Sequence, residues 1–466
     1  MRVLLAKSRL YFASLTVAAF AFRFFFYFKY PAYVGDSLFY GELARNWLRH
    51  GIYGVTDGPN VQPSLVRLPG YPAFMAAIWS VAGVEHYHAL LLVQIFFSVA
   101  TCFLMADLAL HSLRSERGAK IAFLLTALCP FLANYAAVAL TETLAIFFTV
   151  LAFDLAAMAT SSGRWSLWAG SGLAICAGIY LRPDDGIVLP VLGTFLMVQL
   201  YKGPSRRERV RNFWAAVILS SAALGPLIPW TVRNWHEFHV FQPLAPFAAN
   251  DPGEFVAAGF GRWVETWVAD YTSVAEIEFV EGDGLFDITK LPSRAFDTPD
   301  ERERTAALFD EYNKVTTVTP ELDRQFGQLA DERIQRHPWR YHLVLPAARI
   351  TDMWLRPRTE MIGVDDRWWE FDDRRDSAIS IIMGLINLFY VTAAAVAVFL
   401  PLWRRPNPEP DWRCWWVLLS FALVRSLFLS TIGNPEPRYT LEMYPVVIIL
   451  AAMAFSSWKI EEARAG

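Results

Sequence analysis

The residue with the most obvious chemistry is Asp36, in the segment GDSLFYGELARNWLRHG that follows the first apolar run. An aspartate that opens a helix can cap it by accepting backbone N–H groups of the first turn. It can also be a general base, taking the proton of an acceptor hydroxyl as that oxygen attacks a sugar carbon. With a phosphate leaving group, such a transfer does not need the second, protonated carboxylate that glycoside hydrolysis uses. It needs cations, and the planar fork of arginine grips phosphate and stabilises the charge that develops on departure. Candidates for that donor phosphate are Arg67 in RLPGYP, Arg233 in PWTVRN and Arg438 in NPEPRY. A single interfacial arginine is read most simply as a snorkelling anchor. Three on one face argue for a bound phosphate.

Charges inside apolar runs point the same way. Arg23, Glu142 and Arg425 each lie within about two turns of the outer end of a predicted helix, and Arg182 caps another. Glu142 and Arg182 can pair across neighbouring helices, and Tyr71, Asn234 and Tyr439 are supporting polar groups beside the candidate arginines. Asp107 and Asp154 fall near inner ends, where solvation at the interface is role enough.

The elements that must position these groups are membrane spans. Of 466 residues, 55% are hydrophobic and 19% charged, and the apolar ones fall in bilayer-length runs, which excludes a soluble fold. Predicted spans are 10–28, 87–113, 120–134, 136–158, 165–181, 186–201, 212–230, 378–402, 412–431 and 439–458, about ten helices of an all-α polytopic membrane protein. The first run is too long for a cleavable signal and lacks a small-residue cleavage site, so it reads as a retained span. The basic loops HSLRSERGAK, YKGPSRRERVRN and WRRPNPEPDWR fall on the side of the N-terminus and make that side cytoplasmic.

Two polar stretches, 30–86 and 231–376, then lie outside, dividing the chain into an N-terminal catalytic half (1–230), a long outer segment (231–376) and C-terminal spans with a short cytoplasmic tail (377–466). From Asp36, the stripe Phe39, Leu43, Trp47 predicts an interfacial helix, with Glu42, Arg45, Asn46 and Arg49 largely on its other side. Asp300 to Arg336 carries polar helical signals, and HPWRYHLVLPAARITDMW suits a helix on the membrane surface. All four cysteines lie in or at the ends of spans, so no disulfide framework holds the outer loops, and no Cys/His spacing suggests structural zinc.

The order GDSLFY, RLPGYP, TETLAIFF, LRPDDG, PWTVRN, HPWRY, EPRYTLEMYP resembles the bacterial GT-C glycosyltransferases related to protein O-mannosyltransferases and to the aminoarabinose transferases that modify lipid A. The resemblance runs from Arg23 to Pro445. It implies a multi-span core, a catalytic aspartate in the first periplasmic loop matched by Asp36, a polyprenyl-phosphate sugar as donor, and inversion at the anomeric carbon. It further implies a bacterial inner-membrane protein whose site faces the periplasm, with a lipid, glycan or protein acceptor, membrane lipids as surroundings and no nucleic-acid partner. Arg67 matches a basic residue that relatives carry before Pro-Gly and that is linked with the lipid phosphate. Two positions depart from the pattern: Ser37 stands where many relatives have a second acid, and Val66 where zinc-holding relatives have an acid. No structural zinc or other cofactor is therefore expected, a divalent metal at the site staying open.

Two other classes stay in view. A transporter would more often show paired repeats and broken helices at the midplane, whereas these charges gather near one face. A surface-polysaccharide polymerase or ligase also joins sugars from lipid carriers. The early Asp36 loop argues against it and the late loop from Thr231 for it.

Overall fold

The computed structural model describes residues 1–278, 280–282, 284–364, 367–403 and 408–456. The C-terminal tail, the end of the last predicted span at Trp458 and part of the basic loop WRRPNPEPDWR lie outside them. Among the described residues, eight helices are long and apolar enough to cross a membrane: Arg9–Lys29, Tyr87–Leu113, Glu142–Ser162, Pro183–Lys202, Arg206–Phe238, Arg374–Phe399, Trp412–Ser430 and Pro437–Ser456. Gly70–Ala82 and Trp165–Leu181 are shorter apolar helices.

The spans predicted over 120–134 and 136–158 have different bounds in the structure. Glu116–Ala127 is helical, the chain breaks at Cys129, and a short helix Pro130–Tyr135 follows. Pro130 explains the break, because it has no N–H to give and its ring clashes with the preceding turn, whereas it is at ease at the first helical position. Residues 136–141 are buried but not helical, and they pair with the entry to the first outer loop: Ala32 N donates to Ala137 O, and Ala139 N to Ala32 O, each at 3.1 Å. The next span therefore starts at Glu142, which places that carboxylate in a helical first turn, where the peptide dipoles favour negative charge. The span predicted over 212–230 is also longer, Arg206–Phe238, and carries Arg233 and Asn234 as helical residues.

The first outer loop holds the helix Gly35–His50, a two-stranded hairpin (Gly54–Asp57 with Asn60–Pro63) and Gly70–Ala82. The hairpin is a small departure from the all-helical expectation. The polar side of Gly35–His50 does not simply face water. Asn46 is buried and donates to Gly54 O at 3.0 Å, and Glu42 accepts from Thr56 N at 2.8 Å, so this side binds the hairpin. Gly70 has to be small, since a Cβ there would lie 2.5 Å from Tyr180 O; that contact brings the segment after Arg67 against the end of Trp165–Leu181, one residue short of Arg182.

The long outer segment has its own core, in which Phe260, Trp263, Trp267, Phe309, Tyr312 and Phe326 are buried together. Helices Pro299–Val315 and Pro320–Arg336 are capped by Thr298 and Thr319, whose hydroxyls accept from Glu301 N and Leu322 N. The stretch expected on the membrane surface folds as one π-helical turn, Arg340–Val344, running into Leu345–Leu355. Trp339, Leu343 and Val344 are exposed there, while Arg349 and Met353 are buried.

Candidate functional site

A cavity of about 800 Å³ opens where the loop over residues 30–86 meets three spans at one end of the bundle, and Asp36, Tyr40, Arg67, Glu142, Arg182 and Arg438 are among its lining residues. Asp36 lies in the first turn of Gly35–His50 and is not the helix cap. Val34 holds that position, and its N–H donates to Ser37 Oγ at 3.1 Å. The Asp36 carboxylate is free to face the cavity, and two arginines meet it there. Arg67 Nη2 donates to Oδ1 at 3.2 Å and Arg438 Nη2 to Oδ2 at 3.0 Å. Burial pushes the Asp36 carboxyl up, but Arg438 and then Arg67 outweigh it, and the group sits below the usual carboxylate range.

Behind this triad stands a buried charge network. Arg182 Nη1 donates to Glu142 Oε1 at 3.0 Å, the pair foreseen from the sequence, and Arg182 Nε lies 3.2 Å from Glu442. Arg438 Nε lies 3.9 Å from the same Glu142 oxygen and also pairs with Glu436. The Tyr439 ring lies between two guanidinium groups, 5.1 Å from Arg182 and 5.5 Å from Arg438. Deeper, fully buried Arg425 holds Asp184, Asp185 and Glu442 at 2.6, 2.9 and 3.0 Å. Breaking such a buried network on one side leaves an uncompensated charge, which makes it a rigid backing for the cavity wall.

Four sequence candidates are elsewhere. Arg233 does not line the cavity: its guanidinium donates to Tyr53 O at 2.8 Å and Ser64 O at 2.9 Å and packs on Tyr53, Trp230 and Phe238. Those carbonyls flank the two strands, so Arg233 fastens the hairpin that leads to Arg67. Asn234 supports it, accepting from Arg233 Nη1 at 3.0 Å and donating to Gln242 O at 2.8 Å. Tyr71 is buried behind the cavity-lining Tyr40, ring centroids 5.3 Å apart, and donates to Gln94 at 2.5 Å. Arg23, too, is spent on structure, donating to Ser98, Ala19 O and Ala127 O.

Asp184, Glu436 and Glu442 were given no part from the sequence, although LRPDDG and EPRYTLEMYP contain them. The available signal was the count of charges: Arg425 inside an apolar run requires acidic partners, and these motifs hold the nearest supply at the same depth. Among the described residues, one group has donor atoms spaced for a metal ion, Asp107, His111 and Asp154, within 4.8 Å of one another at the far end of the spans from the cavity. Inside the cavity, Asp36 and Glu142 already face arginines.

Residues 62–232 match the family model of dolichyl-phosphate-mannose-protein mannosyltransferases. The whole fold is similar to the oligosaccharyltransferase AglB of Archaeoglobus fulgidus, solved with an inhibitory peptide and a dolichol-phosphate: TM-score 0.51 at 12% identity, covering 97% of this chain and 50% of that one. An oligosaccharyltransferase of Archaeoglobus fulgidus solved with Zn and sulfate matches with TM-score 0.50 at 13% identity, over 96% of this chain and 48% of that one. The chain thus spans about half the length of the oligosaccharyltransferase it matches, and at this identity the likeness concerns the fold. The fold is that of an all-α polytopic membrane protein, similar over its whole length to this oligosaccharyltransferase, and residues 62–232 within it carry the mannosyltransferase family match. ArnT of Cupriavidus metallidurans bound to undecaprenyl phosphate is a looser match, with TM-score 0.41 at 12% identity over 97% of this chain and 78% of that one. No curated protein matches the sequence.

Proposed function

We propose that the protein moves a monosaccharide from a polyprenyl-phosphate carrier to an acceptor hydroxyl at the periplasmic face of a bacterial inner membrane, with inversion. The observation that carries this reading is Asp36 held ionised between Arg67 and Arg438 in a cavity that Arg182 also lines. The carboxylate accepts the proton of the attacking hydroxyl. The arginines receive the charge that grows on the departing phosphate, so their contacts strengthen in the transition state and lower the barrier.

A second cavity supports the lipid nature of the carrier. It is lined by Trp47, Gly70, Phe74, Phe97, Phe148 and Leu181, among others, and Leu181 belongs to both cavities. An isoprenoid chain lying in this apolar groove would bring its phosphate to the arginines. The dolichol-phosphate bound to AglB is in keeping with such a carrier. The acceptor is a lipid, glycan or protein.

The test is direct: protein reconstituted in nanodiscs is given polyprenyl-phosphate sugars and extracted envelope acceptors, and products are read by mass spectrometry. Transfer that consumes the carrier-linked sugar and fails with Asp36→Asn supports the reading. A protein that leaves every carrier-linked sugar intact but transfers from nucleotide sugars would overturn it.

A further inference from the structure

A second pair of connected cavities lies at the opposite end of the spans, about 30 Å from the Asp36 site along Pro183–Lys202 at 1.5 Å per residue. The first is an apolar groove of about 1250 Å³ between Pro183–Lys202 and Trp412–Ser430, walled by Val191, Phe195, Val198, Trp416, Val417 and Val424. The second is a polar pocket of about 680 Å³ that contains Gln199, Lys202, Arg211, Asn212 and Arg413. The two share Phe195, Gln199, Lys202 and Arg413, so the apolar channel leads into the polar pocket.

Charge says what the pocket holds. Three cations line it against one carboxylate, Glu208. Arg413 is engaged by Asp411 at 3.2 Å, and Asp411 is shared with Arg114 at 2.8 Å. Lys202 and Arg211 have no ion-pair partner among the described residues. Both belong to the basic loop YKGPSRRERVRN. A basic pocket at a membrane face that continues into an apolar groove between spans matches the two halves of an anionic phospholipid.

We infer that this groove binds an anionic glycerophospholipid, its phosphodiester in the pocket of Lys202, Arg211 and Arg413 and an acyl chain along the groove between Pro183–Lys202 and Trp412–Ser430. The site is separate from the donor cavity, and the helix Pro183–Lys202 connects the two, with Asp184 at one end and Lys202 at the other. A lipid seated there fixes the spacing of this helix from Trp412–Ser430, which carries Arg425 and thereby the buried network behind the donor site.

Native mass spectrometry of the delipidated protein, titrated with phosphatidylglycerol and separately with phosphatidylcholine, tests this. Each basic residue beside an anionic headgroup changes affinity on the order of fivefold, so Lys202→Ala with Arg211→Ala should weaken phosphatidylglycerol binding about thirtyfold. Thr194→Trp, which fills the groove without touching the pocket, should abolish the adduct. Thermal unfolding in detergent confirms that both variants are folded; a variant that fails this is replaced by Lys202→Gln with Arg211→Gln, or by Val198→Phe. Equal affinity for the two lipids, a charge variant that keeps phosphatidylglycerol, a filled groove that still binds it, or a protein dimer in place of the lipid adduct would each overturn the inference.

Discussion

Replacing Asp36 by asparagine separates the catalytic reading from a structural one, because the two predict opposite changes in donor binding. The amide keeps one oxygen and turns the other into a donor, so one of the two contacts, Arg67 at 3.2 Å or Arg438 at 3.0 Å, must be lost. A hydrogen bond to a charged group is worth about 1.5–3 kcal/mol when buried. Asp36 is 28% and Arg67 30% exposed, and solvent screening reduces the loss of stability to about 1 kcal/mol. The helix itself is unharmed, since Val34 and Ser37 cap it. Turnover should fall by about 10²- to 10⁴-fold, the usual contribution of a positioned general base. Donor affinity should hold or rise, because Arg67 and Arg438 lose an internal carboxylate that competes with the phosphate. The assay is single-turnover transfer in nanodiscs beside equilibrium binding of the polyprenyl-phosphate sugar. Turnover near that of the parent, or a donor affinity that collapses along with turnover, would refute the argument and leave Asp36 as a brace for the arginines.

Arg67→Lys should lower turnover more than donor affinity, since lysine keeps the charge but not the fork, and Arg438→Lys should do the same with some loss of stability because Arg438 also holds Glu142 and Glu436. By contrast, Arg233→Lys should lower thermal stability through the lost Tyr53 and Ser64 contacts, and a purely kinetic defect in that variant would contradict its placement. In the outer segment, burial and then Glu436, Glu281 and Glu265 push Glu278 up to about 7, against Arg349. The folded state thus holds that proton more tightly than the unfolded chain. Its stabilising effect is full below the ordinary glutamate range and is lost as pH rises through about 7, so Trp fluorescence should report a lower unfolding temperature at pH 8 than at pH 6, flattened in Glu278→Gln. A cysteine placed at Gly284 should react with an impermeant label from the periplasmic side of intact cells; labelling only after the inner membrane is opened would invert the topology and put the proposed site on the wrong face.

Hydropathy along the chain determined the polytopic helical class, most of the spans and the two long polar stretches between them that contribute to the cavity, because span length is set by the bilayer and read locally. The pairing of Glu142 with Arg182 was also legible, since unlike charges at one depth on neighbouring spans have few other partners. What the sequence could not decide is where a side chain of fixed position spends its donors. Arg67, Arg233 and Arg438 look alike in sequence, each near the outer mouth of a span. Yet Arg67 and Arg438 turn to Asp36, 31 and 402 residues away, while Arg233 turns to the carbonyls on either side of a hairpin that only the tertiary structure reveals. The capping question was settled in the same way. An aspartate that opens a helix is a sufficient cap by composition, but the helix begins one residue earlier, at Gly35 with Val34 in the cap position, and Asp36 lies inside its first turn. Long side chains reach several ångströms in many directions, so a contact between distant segments depends on packing that no local window contains.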